Sequence, residues 1–248
     1  MVVANELKKT KENCHWAYRM RKETPKGTQV KEVVETDKGA VTRLEMIDDR
    51  PVTVEQRQKE DERLQHLLSD SAEQEKKTKA QKEDEKHAEA MVRALPDAFV
   101  YRYDGTEIGK SGPLLRLKFE PRPDFDPTAR EAEVYRGMAG VMWVDATQLR
   151  LAKIDGTLFR DVSFGWGILG KLYRGGHFVV EQSRVAGDKW ATTAMILDLE
   201  GRALIKPIVY KEREFSSAFR PLPENLDLAH GIEILRRESD QRAAQIHP

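Results

Sequence analysis

GVMWVDATQLRLAKIDG (Gly140–Gly156) opens the stretch whose reading decides the fold, and that stretch runs on to Phe219. Along it, apolar and polar residues alternate in short runs: GVMWVDA, QLRLAKIDG, GHFVVEQSRV (Gly176–Val185), WATTAMILDL (Trp190–Leu199) and RALIKPIVYKEREF (Arg202–Phe215). Period-two alternation is the pattern of a strand with one face buried. The connections are short and carry no helical period, so neighbours in sequence pair as antiparallel strands. Ala186-Gly187-Asp188 and Glu200-Gly201 read as hairpin turns. Pro207, inside a strand pattern, places its strand at an edge or on a bulge. At the centre lies DVSFGWGILGKLYRGG (Asp161–Gly176), the densest glycine cluster of the chain. Gly165, Gly167, Gly170, Gly175 and Gly176 are placed to bend the sheet.

Upstream, LLRLKFE (Leu114–Glu120) alternates Leu115, Leu117 and Phe119 with Arg116, Lys118 and Glu120. AFVYRYDG (Ala98–Gly105) sets Phe99, Tyr101 and Tyr103 on one face. PRPDFDP (Pro121–Pro127) is a linker stiffened by three prolines. Thr128–Gly137 forms a helical turn or leads straight into the strand run. At the other end, Val3 and Leu7 at i, i+4 predict a short helix over Val2–Lys11. His15–Thr24, Val30–Thr36 and Ala40–Ile47 then predict a meander, with Asp37-Lys38-Gly39 as a hairpin turn.

Thr53 and Gln56 form a capping-box pattern, so a helix starts there and runs to about Ser69. Ser69–Lys86 has almost nothing to bury, and acid–base pairs such as Glu73/Lys77 and Glu75/Lys79 recur at i, i+4. Met91, Val92 and Leu95 restore an apolar face before Pro96. The reading is a helical hairpin or bent helix with docked ends and a solvated middle; a partly disordered loop is the plainer alternative. The tail beyond Pro221 and Pro223 reads as an amphipathic helix through Ile232, Leu235 and Arg236.

The fold class that follows is α+β: a strongly curved antiparallel sheet, an unclosed β-barrel, with helices over its concave face and a charged helical hairpin. Residues 1–222 form one domain containing the charged segment 53–95, and 223–248 form a C-terminal helix or frayed tail. Antiparallel sheets this long curl or close. A half-closed sheet under a helix leaves a hollow lined by alternate residues, suited to an apolar ligand. Leu115, Leu117, Phe119, Met142, Val144, Trp166, Ile168, Leu169, Phe178 and Val180 are the candidate lining. The same alternation also serves a dry core packed on the helices, and periodicity does not separate the two.

Composition narrows the functions. The chain has 248 residues with 42 basic and 42 acidic side chains, so no excess of positive charge points to nucleic acid. No apolar run is long enough to span a membrane as a helix. One cysteine, Cys14, excludes an internal disulfide, and the charged KTKEN before it lacks the apolar run of an export signal. None of the six histidines (His15, His66, His87, His177, His230, His247) stands in a metalloprotease motif. Asp145, Asp161, Ser163 and His177 have the residue types of a nucleophilic site, but no nucleophile elbow accompanies them. FGWGILG (Phe164–Gly170) does not open a helix, which argues against a phosphate cradle. No cofactor, no metal site and no enzymatic activity are expected.

Two stretches carry a resemblance. MAGVMWVDATQLRLAKIDGTL (Met138–Leu158) and YRGGHFVVEQSRVAGDKWATTAMIL (Tyr173–Leu197) resemble successive strand pairs of the outer-membrane lipoprotein-sorting-like (LolA-like) group, the periplasmic lipoprotein carriers. That resemblance implies an unclosed β-barrel lidded by helices, in the envelope of a bacterium with an outer membrane. It implies a periplasmic location with the export signal removed. It also implies binding of lipid or lipoprotein acyl chains in an apolar hollow, or sensing of envelope stress with a protein partner. The other readings are a scaffold acting through the charged hairpin (Glu55–Lys86), and a hydrolase using His177 with a nearby carboxylate.

Overall fold

The structure, a computed structural model, describes residues 1–9, 15–164 and 170–246. In chain order its elements are helix α1 (Val2–Lys9), strands β1 (His15–Thr24), β2 (Gly27–Val34), β3 (Val41–Ile47) and β4 (Arg50–Pro51), and helices α2 (Val54–Ser69) and α3 (Ser71–Ala98). Strands β5 (Phe99–Gly109) and β6 (Gly112–Pro121) precede a 3-10 helix (Arg130–Gly137). Then come β7 (Met138–Asp145), β8 (Leu151–Leu158), β9 (Val162–Phe164), β10 (Gly170–Leu172), β11 (His177–Ala186), β12 (Lys189–Ala203), β13 (Lys206–Leu222) and α4 (Leu228–Ile246). The chain divides into two compact units: residues 1–12 with 85–213, and residues 13–84 with 214–248. The class is α+β, with every described strand pair antiparallel.

In the first unit the strand order is β13–β12–β11–β8–β7–β6–β5, with β10 pairing β12 and β9. The outermost strand, β5, pairs on one side only, so the sheet is unclosed. Phe99, Phe119, Ala132, Met142, Val144 and Leu158 are among its buried core. Helix α1 is fixed to this unit by polar groups as well as by Val2 and Val3. The buried Glu6 carboxylate accepts from Arg150 Nε (2.8 Å), Leu151 N (2.9 Å) and Gln182 Nε2 (3.0 Å). Asn5 donates to the carbonyls of Gln148 and Leu149, which turn the chain from β7 into β8.

One turn lies elsewhere than the sequence suggests. Strand β12 runs straight through Glu200-Gly201 to Ala203, and the hairpin turns at Leu204-Ile205. Gly201 serves close packing instead: a Cβ there would lie 2.2 Å from the Lys171 carbonyl oxygen on β10. The glycine there reflects close backbone approach, not the chain reversal predicted at Glu200-Gly201. RALIKPIVYKEREF is accordingly split between two strands. Pro207 stands second in β13 and is exposed, where a missing N–H donor costs little.

In the second unit the order is β4–β3–β2–β1–β13. Val34 sits opposite Ala17 on β1 and Val41 on β3. These residues pack with Leu64 and Leu67 of α2 and with Ile232 and Leu235 of α4. Gly231 admits α4 to the sheet, since a Cβ there would lie 2.5 Å from Thr36 Cγ2. The Thr53–Gln56 capping box forms as the pattern predicts. Helix α2 ends at Asp70, whose extended backbone (φ −101°, ψ 96°) makes the break and whose Oδ1 accepts from Glu73 N at 3.0 Å in the first turn of α3. The first half of α3 is largely exposed but is held along one edge by polar contacts. Thr78 Oγ1 donates to the Lys38 carbonyl, and Gln81 Oε1 accepts from Ala40 N, so the helix holds the Thr36–Ala40 turn. Gly39 takes φ 102° there, as the hairpin turn requires. Such contacts are polar and leave no apolar period for a sequence reading to detect.

Candidate functional site

Strand register in the first unit creates an uneven floor. One row crosses five strands: Phe119 on β6, Gly140 on β7, Gly156 on β8, Phe178 on β11 and Leu197 on β12. The next row is Leu117, Met142, Ile154, Val180 and Met195. Two glycines side by side remove two neighbouring side chains from the middle of the sheet. They do so for different reasons. A Cβ on Gly140 would meet the Asp155 carbonyl oxygen at 2.1 Å, so backbone forbids it. A Cβ on Gly156 would meet the Phe178 ring at 2.5 Å and Phe119 Cζ at 3.2 Å, so the aromatic rings occupy that space.

Above this floor is a hollow of about 390 Å3, within the ordinary range of small-molecule pockets. Its walls are Ile154, Phe164, Leu172, Phe178, Val180, Leu197 and Leu199 from the sheet, all half-buried, with buried Phe99, Phe119, Met138 and Met142 beneath. The cover is Met91 and Leu95 of α3 and Val134 and Tyr135 of the 3-10 helix. Half-burial of so many large apolar side chains on one face distinguishes an open hollow from a dry core. In a close-packed interior they would be covered.

The cover is tied down by phenols. Tyr135 donates its hydroxyl to the Met91 carbonyl (3.1 Å) and Tyr101 to the Leu95 carbonyl (2.8 Å). Leu95 is in the last turn of α3, where carbonyls lack helical partners. Burial pushes both phenols well above their usual pKa, so they remain neutral donors. Phe99 bridges the region, with ring centroids 4.7 Å from Phe119 and 5.0 Å from Tyr135. Glu131 alone among the described lining residues carries a charge. It stands at the half-exposed rim, with its Oε1 3.5 Å from His87 Nε2.

Of the residues picked out from sequence, Phe119, Met142, Phe178 and Val180 line the hollow. Val144 is buried core, and Leu115 and Leu117 pack against that core without lining the hollow. Trp166, Ile168 and Leu169 lie outside the described residues. The sequence reading missed Ile154, Leu172, Leu197 and Leu199 although the alternation contained them. It had no means of finding Glu131, Val134 and Tyr135, which arrive from the 3-10 helix.

Among the described residues, the polar groups singled out from the sequence do not converge. His177 Nε2 is 2.9 Å from Asp155 Oδ1. Strand alternation sets both opposite Phe178 and Gly156, hence on the other face from the hollow. Asp145 Oδ1 accepts from Thr147 N and Gln148 N, and Asp161 binds Lys171 and Arg174 N, so neither joins His177. At the α2–α3 junction His66, Asp70 and Glu73 bring ligand-type atoms within 4.8 Å of one another. Helix capping by Asp70 and the His66–Glu73 hydrogen bond (3.0 Å) account for that arrangement.

Comparison gives no family. No known family model and no curated protein matches the chain. Among solved structures the chain is similar to one described as the crystal structure of MucB in complex with MucA(peri). The identity is 10%, with 89% of this chain and 98% of that one covered, at a TM-score of 0.23. At that score the likeness says nothing further about this chain. No described helix is long and apolar enough to cross a membrane.

Proposed function

We propose that this protein is a non-enzymatic carrier that holds a lipid or lipoprotein acyl chain in the hollow of its first unit. The observation that carries the reading is the glycine pair Gly140–Gly156 under a ring of half-buried apolar side chains. Each methylene moved from water into such a site gains about 0.8 kcal/mol, so even part of an acyl chain gives useful affinity. The lipoprotein-sorting-like strand motifs in the sequence extend the reading to the bacterial envelope and the periplasm. The test is uptake of a fluorescent fatty-acyl probe by delipidated protein, with displacement by an unlabelled acyl ester. Failure of any acyl compound to bind sinks the proposal.

A second reading rests on a different observation. Residues 82–88 of α3 are exposed all round, as in a helix kept for a protein partner in the envelope. Reversing the charges of Lys82, Glu83 and Lys86 then abolishes partner capture without changing acyl binding; unchanged capture removes this reading.

A further inference from the structure

The β12–β13 hairpin ends in a turn that folding alone does not explain. Its two turn residues are Leu204 and Ile205, 56% and 90% exposed. Leu204 adopts φ 54°, the left-handed region that hairpin turns usually fill with glycine, asparagine or aspartate. A bulky side chain is therefore held in an unfavourable conformation and then left in water. The apolar exposure continues onto the strand, where Val209 and Tyr210 are 59% and 50% exposed. Basic residues frame this tip. Arg202 donates to the Leu204 carbonyl at 3.1 Å and Lys206 follows the turn, whereas Lys211, further along β13, is paired with Glu200 and Asp198 of β12 (3.3 and 3.9 Å). From Asp198 to Arg213 three acids stand against four bases, and no acid lies between Arg202 and Lys211, so the positive charge of the tip is that of Arg202 and Lys206.

Apolar residues at a tip, a tyrosine further back on the strand and the two bases flanking the turn, Arg202 and Lys206, fit the interface of an anionic bilayer. Leucine and isoleucine enter the acyl boundary, tyrosine sits at headgroup level, and the cations meet lipid phosphates. A protein groove would satisfy the apolar pair but gives no reason for a base on each side of it, Arg202 and Lys206, with no acid in between. We infer that the Leu204-Ile205 hairpin tip is a membrane-surface anchor specific for anionic phospholipid. The inference does not depend on what the hollow holds.

The test is flotation of the full chain with vesicles of equimolar phosphatidylglycerol and phosphatidylcholine, and with phosphatidylcholine alone. Wild type binds the mixed vesicles, and binding weakens with salt. A variant carrying Leu204→Gly and Ile205→Ser has better turn chemistry, so its melting temperature holds or rises while vesicle affinity falls at least about tenfold. Lys206→Glu, which leaves the turn intact, weakens binding to mixed vesicles by about fivefold. Three results overturn the inference: no binding by wild type, equal binding by the turn variant, or equal binding to the two vesicle types.

Discussion

Val180→Phe discriminates between a hollow and a packed core. Val180 lies in the second row, beside Ile154 and facing the space above Gly156. Phenylalanine adds about four carbons, worth at most about 3 kcal/mol when fully buried at about 0.8 kcal/mol each. Partial burial in an open site and a loss of about 0.5–1 kcal/mol in rotamer freedom reduce the net gain to about 1 kcal/mol. In a close-packed interior the same change costs about 1–3 kcal/mol through overpacking. Differential scanning calorimetry reads the sign, because about 1 kcal/mol moves the melting temperature by about 2–4 °C in a chain of this size. The new ring also takes volume from a cavity of about 390 Å3, so the affinity for an acyl probe should drop at least about tenfold. A melting temperature lowered by several degrees, or unchanged probe affinity, refutes the reasoning about the hollow.

Other perturbations follow from the same contacts. Glu131→Gln removes the only charge from the described lining, so dodecanoate should gain affinity relative to dodecanol; an unchanged ratio in competition assays would show that the rim carboxylate does not face the bound head group. Glu6→Ala leaves the largely buried Arg150 without its carboxylate and should cost about 3 kcal/mol in chemical denaturation, whereas Asn5→Ala should cost about 1 kcal/mol. The hydrogen bond with Asp227, and then its charge, raise the His230 imidazole above its usual value at the start of α4. That contribution is fully present below about pH 6.5 and lost as pH rises through the folded value. NMR titration should show the raised midpoint, and Asp227→Asn should return it to the ordinary range.

Much of the fold could be read from alternation. Phe119, Met142, Phe178 and Val180 face one side because a strand has period two, and four of the five predicted strands of the Gly140–Phe219 stretch correspond to β7, β8, β11 and β12, while the fifth is divided between β12 and β13. Register was not readable. Nothing local in AKIDG says that Gly156 pairs with Gly140 on one side and Phe178 on the other, yet that alignment makes the floor. The Leu204-Ile205 turn was missed because its residues are poor turn formers, and Gly201 drew the reading instead. The docking of α3 through Gln81 and Thr78 was missed because such contacts leave no periodic trace.

A space defined by absent side chains has a consequence for how its size can drift. Any residue larger than glycine at 140 strikes main chain, so that part of the floor can change only if two strands separate. At 156 the obstacle is a pair of rings, which can swing away. Variation in capacity among versions of this protein should therefore accumulate at the aromatic walls and at position 156, while position 140 stays fixed as the hinge point of tolerance.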